Sequence, residues 1–106
     1  MASKFNALKS AYTFEKLTVS STAVGLTSTK YDQRSTTNQP NIQAEFALVS
    51  VETDALRYRT DGTDPDATTG HKLEAGDELL LSGANDIQRF RAIRVTTDAT
   101  IQVSYS

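Results

Sequence analysis

The chain has 106 residues, no cysteine and a formal net charge of −2 at pH 7, from 11 Lys and Arg against 13 Asp and Glu. This length suits a single domain with one modest core, and the lack of cysteine excludes disulfides and thiolate metal sites. The nearly balanced charge creates no overall field toward nucleic acid or anionic lipid, and no apolar run approaches the roughly 18 residues of a membrane span.

The sequence is expected to comprise an N-terminal arm, residues 1–11, and a single β-sandwich domain, residues 12–106. Phe5 and Leu8 on the arm have a helical spacing, but the arm is too short to form a stable helix alone. Their side chains are exposed unless they dock, so both are candidates for intersubunit contact, with a frayed terminus as the competing interpretation. The first residues lack the apolar core of a secretory signal, so we expect synthesis in a host cytoplasm.

Alternating apolar and polar residues predict the first strand from Tyr12 to Val19. The polar residues 20–41 that follow are typical of a functional loop or of a pair of short edge strands. Residues 42–51 are apolar on both faces, which predicts a central strand or one whose second face is covered. This two-faced apolarity is the reason to expect a homo-oligomer.

A strand that runs directly into a tight turn is predicted from Leu56. Leu56, Tyr58 and Thr60 alternate with two arginines, and Asp61-Gly62 then supplies turn chemistry, since Asp can bond its own backbone and Gly accepts positive φ. Pro65 removes a donor and ends regular structure. Asp61, Gly62 and Pro65 are therefore predicted to be structural turn residues.

The rest of the chain predicts three more strands, with a loop at 85–87. They are 78–81, 89–95 with a β-bulge near Ala92-Ile93, and a final strand in which Ile101, Val103 and Tyr105 alternate cleanly. Short strands that recur at regular intervals with turns between them predict an all-β fold. We expect an antiparallel β-sandwich of about six to eight strands, either immunoglobulin-like or jelly-roll-like. Six aromatic residues at strand parity are predicted to lie in or beside the core: Tyr12, Phe14, Phe46, Tyr58, Phe90 and Tyr105.

Two known groups of proteins have segments that resemble the turn Tyr58-Arg59-Thr60-Asp61-Gly62-Thr63-Asp64-Pro65 and the later Phe90-Arg91-Ala92-Ile93. The turn resembles that of the immunoglobulin-like module at the ends of chitobiase and hexosaminidase chains. The chain also resembles, nearly end to end, a group of small phage virion proteins. The further motifs in this second resemblance are Ala23-Val24-Gly25-Leu26, Gly70-His71, Ala75-Gly76-Asp77, Val103 and Tyr105.

The resemblance to virion proteins implies a structural protein that is not an enzyme, most readily a capsid decoration or head-stabilising protein that acts by protein–protein binding. It implies location in the virion and no cofactor. The expected partners are other copies of the chain, with a trimer suggested by analogy to other decoration proteins, and the major capsid protein or another virion protein; no membrane partner is expected. A tail or fibre component and a carbohydrate-binding or spacer module are the alternatives.

Arginines concentrate on two of the predicted strands. The first interpretation is cross-strand ion pairs on a solvated sheet face. The second is subunit contact, for which arginine is enriched, and nucleic acid ranks third because no aromatic residues interleave on that face. The candidate intersubunit contacts are Arg57, Arg59, Arg89 and Arg91.

No catalytic, cofactor or metal residues are predicted. His71 is the single histidine and has no cysteine or second histidine beside it, so we expect it to close a loop with its ring bonded to backbone. The grouped carboxylates Asp61, Asp64 and Asp66 allow a calcium interpretation, but structural use in turns is favoured over it.

Overall fold

A computed structural model describes residues 13–33 and 43–106, and in these ranges the chain forms eight β-strands and two short α-helices. The predicted all-β sandwich is confirmed. The strands are β1 (Thr13–Val19), β2 (Val24–Gly25), β3 (Phe46–Val51), β4 (Leu56–Arg59), β5 (His71–Leu73), β6 (Glu78–Ser82), β7 (Arg91–Arg94) and β8 (Ala99–Tyr105). The helices are α1 (Ser28–Tyr31) and α2 (Ala84–Arg89).

The strands form two four-stranded antiparallel sheets. Sheet A has the order β1-β8-β3-β6, and sheet B has the order β2-β7-β4-β5. The pairs β1–β8, β2–β7, β3–β6 and β4–β5 are those of a long antiparallel hairpin that has been rolled up on itself. This nesting is a jelly roll, whereas in an immunoglobulin-like fold the second strand pairs with the fifth.

The core lies between the inner faces of the two sheets. In β8 every second side chain is buried, as the sequence pattern predicts. β3 is central in sheet A, as its two-faced apolarity predicts, and its alternate residues face the same core. Sheet B contributes Leu56 and Ala92, and Ile87 of α2 with Phe90 closes one side.

The predicted strand over residues 89–95 begins too early, because α2 ends only at Arg89. β7 pairs with β4 in continuous register from Arg59↔Arg91 to Leu56↔Arg94, so the predicted bulge is wrong. Ile87 and Phe90 are three residues apart and both buried, which is a helical spacing. The break in alternation therefore marks a junction between helix and strand.

Phe14 is a second correction, because its side chain is 53% exposed on the outer face of β1 and does not belong to the core. The side chains of Glu15, Leu17 and Val19 point inward instead. Phe46 is only half-buried, on the outer face of β3. The predictions for Phe5, Leu8 and Tyr12 concern positions outside the described residues.

Candidate functional site

The turn after β4 is held by its own side chains. Oδ1 of Asp61 accepts hydrogen bonds from the backbone N–H of Thr63 at 3.3 Å and from Nε of Arg59 at 3.0 Å. Gly62 has a φ of +86°, the left-handed region that glycine enters without a Cβ clash. Pro65 is buried. The side-chain bonds of Asp61 thus join the turn to the end of β4.

The Arg59 hydrogen bond is the main cause that lowers the pKa of Asp61, and the backbone N–H of Thr63 adds to it. Asp66 has a separate set of partners, since its Oδ1 accepts from the backbone N–H of Thr68 at 2.9 Å and from the Thr68 hydroxyl at 3.0 Å. The backbone bond is the first cause of a lowered pKa at Asp66. Both turns therefore favour the ionised carboxylates.

The carboxylates of Asp61, Asp64 and Asp66 have different neighbours. Asp61 binds Arg59, Asp64 lies beside Arg91, and Asp66 binds the backbone of its own turn. In the described ranges, no three acidic, histidine or cysteine residues are arranged to hold a metal ion. The side chains of all three aspartates are engaged in hydrogen bonds or ion pairs within the chain.

Arg57 holds the long loop between β4 and β5 against sheet B. Its Nε donates to the backbone carbonyl of Ala67 at 3.0 Å, and its Nη1 donates to the carbonyl of Gly70 at 2.9 Å. A guanidinium suits this position because its donors form a rigid planar fork. Arg57 was predicted as an intersubunit contact, and the structure gives it these contacts within the chain.

Three of the four candidate arginines share the outer face of sheet B. Arg59 lies directly opposite Arg91, and Arg57 lies opposite Ile93 on one side and Lys72 on the other. Directly opposed residues in antiparallel strands lie on the same face. Arg89 lies apart from them, at the end of α2.

Arg91 is only partly neutralised. Its Nε lies 3.1 Å from Oδ1 of Asp64, although this N–H is not aligned as a hydrogen bond and has no other acceptor among the described residues. Its Nη2 donates a long bond of 3.4 Å to the carbonyl of Ala23. Arg59 and Arg94 pair with Asp61 and Asp98 in the turns that follow their own strands, and Arg91 lies beside Asp64 in the β4–β5 loop. These ion pairs join strands to loops and are not the cross-strand pairs of the first interpretation.

His71 lines a shallow cleft of about 480 Å³ at the end of sheet B. Its ring stacks at a tilt on Tyr58, with 5.4 Å between ring centroids, in place of the predicted bond to backbone. Tyr58 stacks in turn on Phe90 at 5.7 Å, and burial raises the pKa of Tyr58. The other residues that line the cleft are Arg59, Thr60, Asp61, Thr69 and Gly70.

Glu15 is a buried carboxylate that the sequence argument did not single out. Its Oε1 accepts from the Thr27 hydroxyl at 2.6 Å, and its Oε2 accepts from the Thr27 backbone N–H at 3.1 Å and from the Tyr105 hydroxyl. The signal was present in the pattern, because Glu15 shares its parity with Leu17 and Val19. Its three donors fix β1, β8 and the approach to α1 relative to one another.

Tyr31 continues this cluster at its edge. Its ring centroid lies 6.1 Å from that of Tyr105, and burial raises its pKa, with further contributions from the negative charges of Asp32 and Glu15. The cluster is thus occupied by its own hydrogen bonds and ring contacts. We interpret it as a structural joint between sheet A and α1.

The outer face of sheet A carries an apolar row. Phe14 is opposite Ser104, Ser104 is opposite Leu48, and Leu48 is opposite Leu80, so the row crosses four strands on one face. Phe46 lies beside it on β3. Leu48, Leu80 and Phe46 are half-buried, and Phe14 is the one large hydrophobic side chain in the described ranges that is mostly exposed.

Comparison with known proteins adds no relative. No protein family, curated protein or solved structure matches the chain. In the described ranges, no helix is long and apolar enough to cross a membrane.

Proposed function

We propose that the chain is a structural protein of a phage virion, most simply a capsid decoration or head-stabilising protein that works by binding other proteins. The observation that carries the proposal is the apolar row on the outer face of sheet A. A sandwich that only had to fold would have little use for apolar side chains on both faces of β3.

Two further observations support the proposal. The ordered motifs from Ala23 to Tyr105 resemble those of small phage virion proteins, and the jelly roll is an architecture that viral capsid proteins use. The second point is an analogy of fold and carries no function by itself. Together with the apolar row, they favour assembly over chemistry.

The mechanism we propose is binding through several weak surfaces at once. A particle shell presents the same site many times, so contacts that are weak singly become durable when several copies engage the lattice. The apolar row lies on the outer face of sheet A, and Arg57, Arg59 and Arg91 lie on the outer face of sheet B. The sandwich therefore has one candidate binding surface on each side. One side is then available for other copies and the other for the shell.

The direct test is cosedimentation with heads and, separately, with tails of the virus whose genome encodes the chain. We expect saturable pelleting with heads that lack the chain and none with tails. Pelleting with tails alone would establish the alternative, a tail or fibre component. Pelleting with neither would overturn the proposal.

The cleft beside His71 favours a second candidate function, a carbohydrate-binding module. The polar side chains in its lining and the ring of His71 are features that a sugar site uses. Against it, Arg59 and Asp61 in the lining are bonded to each other. Calorimetric titration with chitin oligosaccharides tests this candidate, and binding that His71→Ala removes would favour it over the virion proposal.

A further inference from the structure

A row of polar and charged residues runs beside the apolar row on the outer face of sheet A. Lys16 is opposite Gln102, Gln102 is opposite Ser50, and Ser50 is opposite Glu78. Lys16 and Glu78 thus lie at the two ends of one row, on the two edge strands of the sheet. Both are exposed, and neither forms an ion pair within the described part of the chain.

We propose that this face binds the same face of a second copy of the chain, about a two-fold axis that runs parallel to the strands. The inference deepens the self-association in the proposed function and rests on it. The occupant is identified by charge: the two ends of the row are opposite in sign, and this axis exchanges them.

The consequences of the axis follow from the register. A rotation of 180° about a line parallel to the strands places β1 over the partner's β6 while each row stays level with itself. Phe14 then faces the partner's Leu80, and Lys16 faces the partner's Glu78. An axis along the row would instead place Phe14 on the partner's Phe14 and would leave both charges without a partner.

The twist of the sheets is compatible with this arrangement. Packed sheets cross at about 30°, and the edge strands lie about 7 Å from the centre of a four-stranded sheet. The edges of the two sheets are then displaced by about 4 Å, which the long side chains of Lys16 and Glu78 can span. The central residues Leu48 and Ser104 remain in register.

The size of the face predicts a weak dimer. Four strands and four rows of outward residues cover about 500 Å² in each copy, or about 1,000 Å² in total. This is near the lower limit for a specific interface. Because interfaces of about 1,600 Å² range from micromolar to picomolar affinity, we expect a dissociation constant in the micromolar range or weaker.

Reversed charges provide the decisive experiment. Lys16→Glu makes both edge pairs repulsive in a dimer of that variant, and Glu78→Lys does the same in its own dimer. In a mixed dimer of the two variants, both pairs are attractive again. By sedimentation equilibrium from about 10 µM to about 1 mM, we expect each variant alone to associate roughly tenfold more weakly than the parent, and the equimolar mixture to recover.

Matched controls change the same charges elsewhere. Lys30→Glu and Asp86→Lys are exposed substitutions on α1 and α2, and we expect each alone, and their mixture, to associate like the parent. Phe14→Ser removes the exposed ring and is expected to weaken association without lowering the melting temperature of the dilute chain. The Cys-free chain also leaves the measurement free of thiol crosslinking.

Three outcomes would overturn the inference. One is a chain that stays monomeric over the whole range, and another is association that both charge variants leave unchanged. The third is a monomer whose melting temperature falls with Phe14→Ser, which would mean that another part of the same chain covers this face. Because these measurements use the purified chain alone, they succeed or fail separately from pelleting with heads.

Discussion

Glu15 places a carboxylate inside the sandwich, where a charge is stable only when hydrogen bonds replace its lost water. Three donors do so, two from Thr27 and one from Tyr105. Removal of the carboxylate leaves these donors unsatisfied, whereas removal of one donor leaves the carboxylate with two. Substitution of Glu15 should therefore lower the free energy of unfolding more than substitution of one of its donors.

We expect Glu15→Ala to lower the free energy of unfolding by about 2–4 kcal/mol and Tyr105→Phe to lower it by about 1–2 kcal/mol. Chemical denaturation monitored by circular dichroism measures both. Glu74→Ala is the matched control, because Glu74 is exposed and its ion pair with Lys72 should be worth less than about 1 kcal/mol. Equal effects at Glu15 and Glu74 would contradict a structural role for Glu15.

The aspartates of the long loop predict an acid-sensitive turn. The pKa of Asp61 and that of Asp66 are both lowered in the folded chain, so their stabilising contribution is complete above the ordinary value of 3.8 and is lost as pH falls through the lowered pKa. We expect Arg59→Met to return the pKa of Asp61 toward 3.8 and to leave that of Asp66 nearly unchanged. Carboxyl titration by nuclear magnetic resonance tests this, and equal movement of both groups would contradict separate turns.

At the scale of elements, the connection from β4 to β5 depends on one glycine. Gly70 has a φ of +133°, and an added Cβ would meet the Tyr58 carbonyl oxygen at 3.0 Å and the Pro65 side chain at 3.1 Å. Gly76 also has a positive φ, of +93°, but a Cβ there would meet nothing within 4 Å. Alanine at Gly76 would add backbone strain alone, whereas alanine at Gly70 would add both backbone strain and steric contact.

We expect Gly70→Ala to destabilise the chain by about 2–4 kcal/mol and Gly76→Ala by about 1 kcal/mol. Thermal melts of the two variants beside the parent provide the measurement. Hydrogen exchange in residues 62–70 should accelerate in Gly70→Ala, because the Arg57 contact with the Gly70 carbonyl is displaced with the backbone. If the two variants melt alike, close packing at Gly70 is not what holds the loop.

The elements that were predicted correctly are those whose sequence pattern has one cause. β8 alternates cleanly because one of its faces is buried. The helix α2 was missed because six residues carry too few periods to separate helix from strand. Phe14 was wrongly assigned to the core, and the buried carboxylate of Glu15 was not recognised. The alternation fixes which residues share a face, whereas the choice of inner face depends on tertiary partners such as Thr27 and Tyr105.

At the scale of the whole molecule, the rolled topology makes the two ends of the described chain interdependent. β1 pairs with β8 along its full length, from Thr13↔Tyr105 to Val19↔Ala99. β8 also pairs with β3, so both of its edges are hydrogen-bonded, whereas β2 and β5 are short edge strands of sheet B. The sequence predicts a sandwich that is either immunoglobulin-like or jelly-roll-like. Only these pairings distinguish the two folds, because strand order depends on contacts between residues that are distant in the sequence.

This topology predicts a gradient of local stability across the molecule. Amides of β8 should exchange with solvent only on global unfolding, and those of β5 should exchange at least about tenfold faster through local opening. Val103→Ala, which trims a buried side chain of β8, should lower the global free energy of unfolding by about 2 kcal/mol. Amide exchange in β8 should accelerate by the corresponding factor, whereas amide exchange in β5 should not change. Residue-resolved hydrogen exchange tests both statements. Equal acceleration of β5 would mean that sheet B opens only together with sheet A, and the sandwich would then be a single cooperative unit.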